Sequence, residues 1–189
     1  MPAKKIVTKE DILNAAFQIV RESGINALNA RTIAKRCNCS TQPVYLSFSG
    51  MDELKKEVAQ MAMKAFDKFI EEEISSGKYP EYKAVGMGYI RFAKEERNLF
   101  RFILMNDGKT KSGIEDESFD KSVFMIVKNY GLYEDEARKL HAEMWIFVHG
   151  IATMYATDYL DWDWDTVSAF VTDVYSGLTK NIKGDKNDN

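Results

Sequence analysis

Arg31-Thr32-Ile33-Ala34-Lys35-Arg36-Cys37-Asn38-Cys39-Ser40-Thr41-Gln42-Pro43-Val44-Tyr45-Leu46-Ser47-Phe48 reads as a short helix, a tight turn and a second short helix. That unit can set side chains into the DNA major groove. Ile33 and Ala34 give the first helix a buried side, and Lys35 and Arg36 look outward. Asn38 sits at the turn, Ser40 offers the hydroxyl of an N-cap, and Pro43 falls in a first helical turn, where its missing N–H costs little. Val44 and Phe48, spaced i to i+4, pack inward, which leaves Thr41, Gln42 and Tyr45 facing out.

Upstream, Thr8 followed by Asp11 forms a capping box for a helix whose stripe is Ile12, Leu13, Ala16, Phe17 and Val20 and whose end is Gly24. Leu28 plugs the connection and Asn29 caps the next helix. These three helices predict a small core of Leu13, Ala16, Phe17, Val20, Leu28, Ile33, Ala34, Val44 and Phe48. Downstream, Asp52 and Glu53 open a long helix with Leu54, Val58, Met61, Ala65 and Phe69 at helical spacing, uninterrupted until Gly77. Tyr82, Val85, Tyr89 and Phe92 mark a fifth helix, and Leu99, Phe100, Ile103 and Leu104 a sixth. A flexible loop is expected over Asp107–Glu117. A seventh helix ends at Gly131, an eighth runs from Glu134 to about Tyr159, and a ninth from Asp163 to about Ile182. The class is all-α with about nine helices: a helix-turn-helix domain over residues 1–50 and a second helical domain over 51–189.

The charge is uneven along the chain. Up to Lys56 there are nine Lys/Arg against five Asp/Glu, and beyond it seventeen against twenty-four. The basic end is the end with the helix-turn-helix pattern, the asymmetry expected when one small part docks on phosphates. Cys37 and Cys39 are too close for an ordinary disulfide and fit a reducing compartment. There is no leader-like apolar run, and the greasiest stretch, Met144–Ala156, falls short of the ~20 residues that cross a bilayer. A cytoplasmic protein with no membrane partner is expected.

The eighth helix is apolar nearly all round from Met144 to Tyr159, with Gly150, Ala152 and Ala156 permitting close approach. The ninth carries Val167, Phe170 or Val171, Val174 and Leu178 in a seam. Such surfaces suggest a four-helix interface between two copies; the other reading is two central helices of a monomer.

In its first 55 residues the chain resembles the TetR family of bacterial transcriptional regulators. The resemblance rests on Ile12-Leu13 with Ala15-Ala16-Phe17, Ile33-Ala34 with Ser40, Tyr45-x-x-Phe48 and Asp52-Glu53-Leu54. Trp145, His149 and Gly150 also resemble the Trp-His-Gly motif of one C-terminal subgroup. The resemblance implies a homodimer formed by the last two helices, a ligand cavity between the fourth and eighth, and repression relieved by ligand. Two positions depart from the family pattern: Ser47 stands where His is common, and Met51 where a Lys often meets phosphate.

For double-stranded DNA with an inverted-repeat operator, Thr41 and Gln42 are expected to read base edges, with Ser40 and Pro43 beside them. Arg31, Thr32, Tyr45 and Lys55 are expected on phosphates and Lys5 in the flanking minor groove. For an apolar or aromatic effector the expected lining is Met61, Met87, Phe100, Met105, Met125, Trp145, His149 and Tyr155, since thioethers and aromatics repack around different shapes. No metal or cofactor is expected: His141 and His149 lie two turns apart, roughly 12 Å, and cannot share an ion. An enzyme is disfavoured because no nucleophile–His–acid set, no Glu-x-x-His pair and no glycine-rich phosphate loop is present. The remaining alternative is a DNA-binding regulator without a small-molecule ligand.

Overall fold

The structure, a computed structural model, describes residues 7–105 and 117–184. The described residues are all-helical: α1 Lys9–Ser23, α2 Ala30–Arg36, α3 Gln42–Ser47, α4 Met51–Ser75, α5 Glu81–Glu95, α6 Arg97–Leu104, α7 Glu117–Tyr130, α8 Glu134–Ala156 and α9 Trp164–Gly184, with a 3-10 turn Ile25–Ala27. The expected minor-groove residue Lys5 lies outside them, as does the expected loop up to Glu117, where α7 begins. The helices form two compact units. One holds the chain up to Asp67 together with Glu96–Met105; the other holds Lys68–Glu95 and the later helices.

Local chemistry sets most of the boundaries in the first unit. Thr8 and Asp11 exchange side chain and backbone at the start of α1, and Asn29 and Thr32 do the same at α2, so the orphan N–H groups of both helices are satisfied. α2 stops because Asn38 turns left-handed at φ 52°: the Asn38 N–H then donates to Lys35 O at 3.2 Å and the Cys39 N–H to Ala34 O at 2.9 Å. Ser40 is not the cap of α3. That place falls to Thr41, whose backbone is already helical and whose side chain makes no cap bond, with Pro43 in the first turn behind it.

The buried face of α1 is Ile12, Ala15, Ala16, Ile19 and Val20. Leu13 and Phe17, expected in the core, are half-buried at its edge, because the helix turns its small alanines inward against α2 and α3. Leu28, Ile33, Ala34, Val44 and Phe48 are buried as expected, and Leu54, Val58 and Ala62 of α4 are fully buried. α6 closes the unit against α1: Arg21 grips the buried Glu96 with two N–H groups, the Nε bond at 2.8 Å, and Asn98 donates to Arg21 O at 3.0 Å.

In the second unit α5, α7, α8 and α9 pack on one another. Gly88 of α5 lies so close to α4 that an added Cβ would stand 3.0 Å from Phe69 O and 3.1 Å from Ile70 Cα. Neither contact is a flexible tip, so Gly88→Leu is expected to cost about 2–3 kcal/mol and to lower the thermal midpoint by about 4–12 °C. A midpoint within 1–2 °C of the parent, roughly the shift from 0.5 kcal/mol, would mean that this approach is not tight. Arg91 ties the same region, 2.6 Å from Glu72, 3.2 Å from the buried Glu73 and over the Phe69 ring. α8 ends three residues before its expected limit, since Asp158 takes φ 59° and the Tyr159 N–H returns to Met154 O at 2.9 Å. In α9, Val167 and Val171 are buried while Phe170 is 39% exposed, so the inner seam runs through Val171.

Candidate functional site

The first candidate surface is α3. Its inner side is fixed by Val44 and Phe48, both buried, and Phe48 is covered by Lys9 Nζ, 4.7 Å from the ring centre, which pairs with Glu57 at 2.6 Å. Its outer side presents Gln42, Tyr45 at 62% exposure and Leu46 at 78%, with Ser40 exposed and Thr41 and Pro43 partly so. Leu46 was not among the expected contacts. It stands i+4 from Gln42 and nothing covers so large an apolar side chain, which suits a thymine methyl or a sugar face. Its signal in the sequence was an apolar residue two positions after Val44, off the inward Val44–Phe48 row.

The expected phosphate contacts divide. Arg31 is exposed at the start of α2. Thr32 holds its hydroxyl 2.8 Å from Ala27 O and 2.9 Å from Asn29 O and accepts the Asn29 N–H at 3.2 Å, so that oxygen serves the helix cap. Lys55 lies 3.5 Å from the exposed Asp52, a pair weak enough for phosphate to displace. Arg36 is engaged at 2.6 Å and 2.7 Å by Glu22, whose carboxyl that guanidinium holds below its ordinary value, whereas Lys35 is exposed. Lys5 lies outside the described residues.

The second candidate is a cavity of about 410 Å³ within the second unit, walled by α5, α7, α8 and α9. α4 contributes no wall residue, contrary to the implied place between the fourth and eighth helices. Of the expected lining only Trp145 is there, joined by Met144. Met87, Phe100 and Tyr155 are fully buried core, and the Tyr155 hydroxyl donates to Trp162 O at 2.7 Å. Met61, Phe100 and Met105 belong to the first unit, and Met125 lines a separate shallow depression with Phe124 and Lys128. The wall is made instead by tyrosines: Tyr82 and Tyr89 of α5, Tyr130 of α7 and Tyr175 of α9. Tyr82 meets His141 Nδ1 at 2.9 Å. Burial raises the pKa of Tyr82, and burial together with its neighbour Tyr130 pushes Tyr175 up to about 12, so both phenols are protonated at neutral pH.

His149 does not line the cavity but holds two residues that do. Its Nδ1 is 2.8 Å from the Tyr89 hydroxyl, and its ring stacks on Trp145 with centroids 5.2 Å apart and planes 14° from parallel. Burial keeps its pKa below the ordinary 6.5. As pH falls through 6.5 the unfolded chain therefore takes up the proton before the folded one, and stability is lost in that window. The thermal midpoint is expected to fall between pH 7.5 and 5.5, and to fall less in His149→Gln; an equal fall in both proteins would remove His149 as the cause.

Residues 12–58 match the family model "Bacterial regulatory proteins, tetR family", and residues 82–174 match "Tetracyclin repressor-like, C-terminal domain". The two together span more than half of the chain. The uncharacterized HTH-type transcriptional regulator YobS of Bacillus subtilis is 21% identical over 183 residues, which are 94% of this chain and 95% of that one. A solved structure of a TetR family protein from Vibrio parahaemolyticus has the same fold, with a TM-score of 0.55 at 18% identity over 89% of this chain and 97% of that one. No helix among the described residues is long and apolar enough to cross a membrane. The exposed outer face of α3, the helical second unit and these matches agree: the chain belongs to the TetR family and is a DNA-binding transcriptional regulator, not an enzyme.

Proposed function

We propose that the protein is a cytoplasmic homodimeric repressor that binds an inverted-repeat operator through α3 and is released by a small apolar or aromatic ligand. The observation that carries the DNA part is the exposed Gln42–Tyr45–Leu46 face on a helix anchored by Val44 and Phe48. Residues 1–50 are the reading domain and 51–189 the ligand and dimerisation domain. The ligand site is the tyrosine-walled cavity, with Trp145 in its wall and His149 a positioning residue for it.

Two stripes support dimerisation through the last two helices. On α8, Ile146 is 63% exposed and Met154 is exposed, with Gly150 open between them. On α9, Phe170 is exposed and Gly177 open. A helix face with an open glycine flanked by large apolar side chains suits a second helix at close range. Ile146→Glu with Phe170→Glu is expected to convert a dimer into a folded monomer by sedimentation velocity and to abolish tight operator binding. A variant that still sediments as a dimer would place the interface elsewhere.

In the mechanism we propose, the dimer samples two spacings of its α3 helices and the ligand favours the one that does not fit the operator. A coupling of about 1–3 kcal/mol changes operator affinity by about 5- to 150-fold. α4 is one continuous helix from Met51 to Ser75, and α5, which walls the cavity, hands over to α6 at Glu96, the residue held by Arg21 of α1. Both routes are continuous in the chain from the cavity's unit to the reading helices.

A further inference from the structure

We propose that the ligand of this cavity carries an anionic group, a carboxylate or sulfonate on an aromatic or planar apolar body, and that Lys83 is its counter-ion. The proposal rests on the reading of the cavity as the effector site and names the chemistry of what enters it. Lys83 belongs to the wall, and the wall includes no Asp or Glu. Its Nζ donates to Ser168 Oγ and Thr172 Oγ1, each at 2.7 Å, and lies 4.7 Å from the centre of the Tyr79 ring. Among the described residues it pairs with no carboxylate, whereas Lys9, Arg21, Arg36, Arg91 and Arg138 each meet one.

An ammonium has three N–H donors, and two of these three go to hydroxyls. Beyond these hydroxyls and the Tyr79 ring face Nζ meets no anion among the described residues, and an oxyanion in the cavity would give it a charge-assisted bond about twice as strong as a neutral one. The walls also differ in character. Lys83, Thr172 and Ser176 bring polar groups from α5 and α9, while Met144, Trp145 and Val148 of α8 are apolar or aromatic. An occupant with one charged end and one flat apolar end fits both sides at once. Aromatic walls also attract cations. Here, however, a cation would enter beside a lysine with no acid to offset the repulsion, and a neutral molecule would desolvate Nζ without pairing it.

Two dyes that share one ring body test the assignment: 1-anilinonaphthalene-8-sulfonate and the neutral N-phenyl-1-naphthylamine, both brighter in apolar sites. The intact chain is expected to bind the sulfonate at least about tenfold more tightly than the neutral dye. Lys83→Met is expected to weaken the sulfonate at least about tenfold and to leave the neutral dye within about twofold. Gly86→Trp reports position, since a Cβ on Gly86 already stands 3.4 Å from Val148 Cγ2 and the indole would fill the cavity; Val148→Trp serves where the first variant does not fold. Loss of both dyes on blocking, with the sulfonate indifferent to Lys83→Met, overturns the anionic ligand and leaves the cavity as a binding site. Retention of both dyes on blocking overturns the cavity reading and the assignment with it.

Discussion

Gln42→Ala is expected to lower operator affinity by about 30-fold to 10⁴-fold while barely changing affinity for a scrambled duplex. Gln42 is exposed at the first position of α3, and its neighbours Val44 and Phe48 fix the helix that carries it. A glutamine amide can pair with both edge atoms of one adenine, a contact that discriminates by about 1–3 kcal/mol. A dimer on an inverted repeat makes it twice, so the two losses compound. The control is Arg31→Ala, an exposed charge at the start of α2, which should weaken both duplexes alike and flatten the salt dependence by about one ion per subunit. Fluorescence anisotropy at two salt concentrations reads both effects. Equal losses on the two duplexes for Gln42→Ala would mean that this residue positions the protein and does not read sequence.

Arg21→Met is expected to destabilise the fold by about 2 kcal/mol, a drop of about 4–8 °C in thermal midpoint. Glu96 is 8% exposed, and its two oxygens are held by the Nε and a terminal nitrogen of Arg21. Removing one partner of a fully buried pair costs about 3–5 kcal/mol, because the remaining charge is neither hydrated nor bonded. Arg21 is half-exposed, so water screens part of that cost. The double variant Arg21→Met, Glu96→Leu removes the stranded charge and should recover most of the loss. If single and double variants melt together, the pair contributes packing and no electrostatic restraint between α1 and α6.

The sequence carried the fold wherever a rule is local. The Thr8–Asp11 box, the Asn29 cap, the buried Val44 and Phe48 and the uninterrupted α4 are each written in a few neighbouring residues. The misplaced end of α8 has a local cause: Asp158 takes a left-handed conformation that glycine more often takes and composition does not announce it, whereas Asn38, left-handed at the end of α2, was legible at the turn. The outward face of α3 was legible from the spacing of its apolar residues, apart from Leu46, whose exposure depends on what fails to cover it. The cavity was least legible. A methionine at helical spacing is core when opposite helices close on it, as at Met87, and a tyrosine at the same spacing becomes a wall when they do not, as at Tyr82 and Tyr175. That distinction belongs to the packing of four helices and to no one of them. Lys83 shows the same limit: charge and position were readable, the missing carboxylate partner was not.

The central claim is that two copies of α3 read an inverted repeat, and the most direct measurement is selection of bound fragments from sheared genomic DNA by the purified protein at two salt concentrations. The account predicts recovery of a short inverted repeat whose half-sites lie about one or two helical turns apart, with binding that weakens steeply as salt rises. Recovery of fragments that share no such repeat, or of none above background with the cavity blocked by Gly86→Trp, would contradict it.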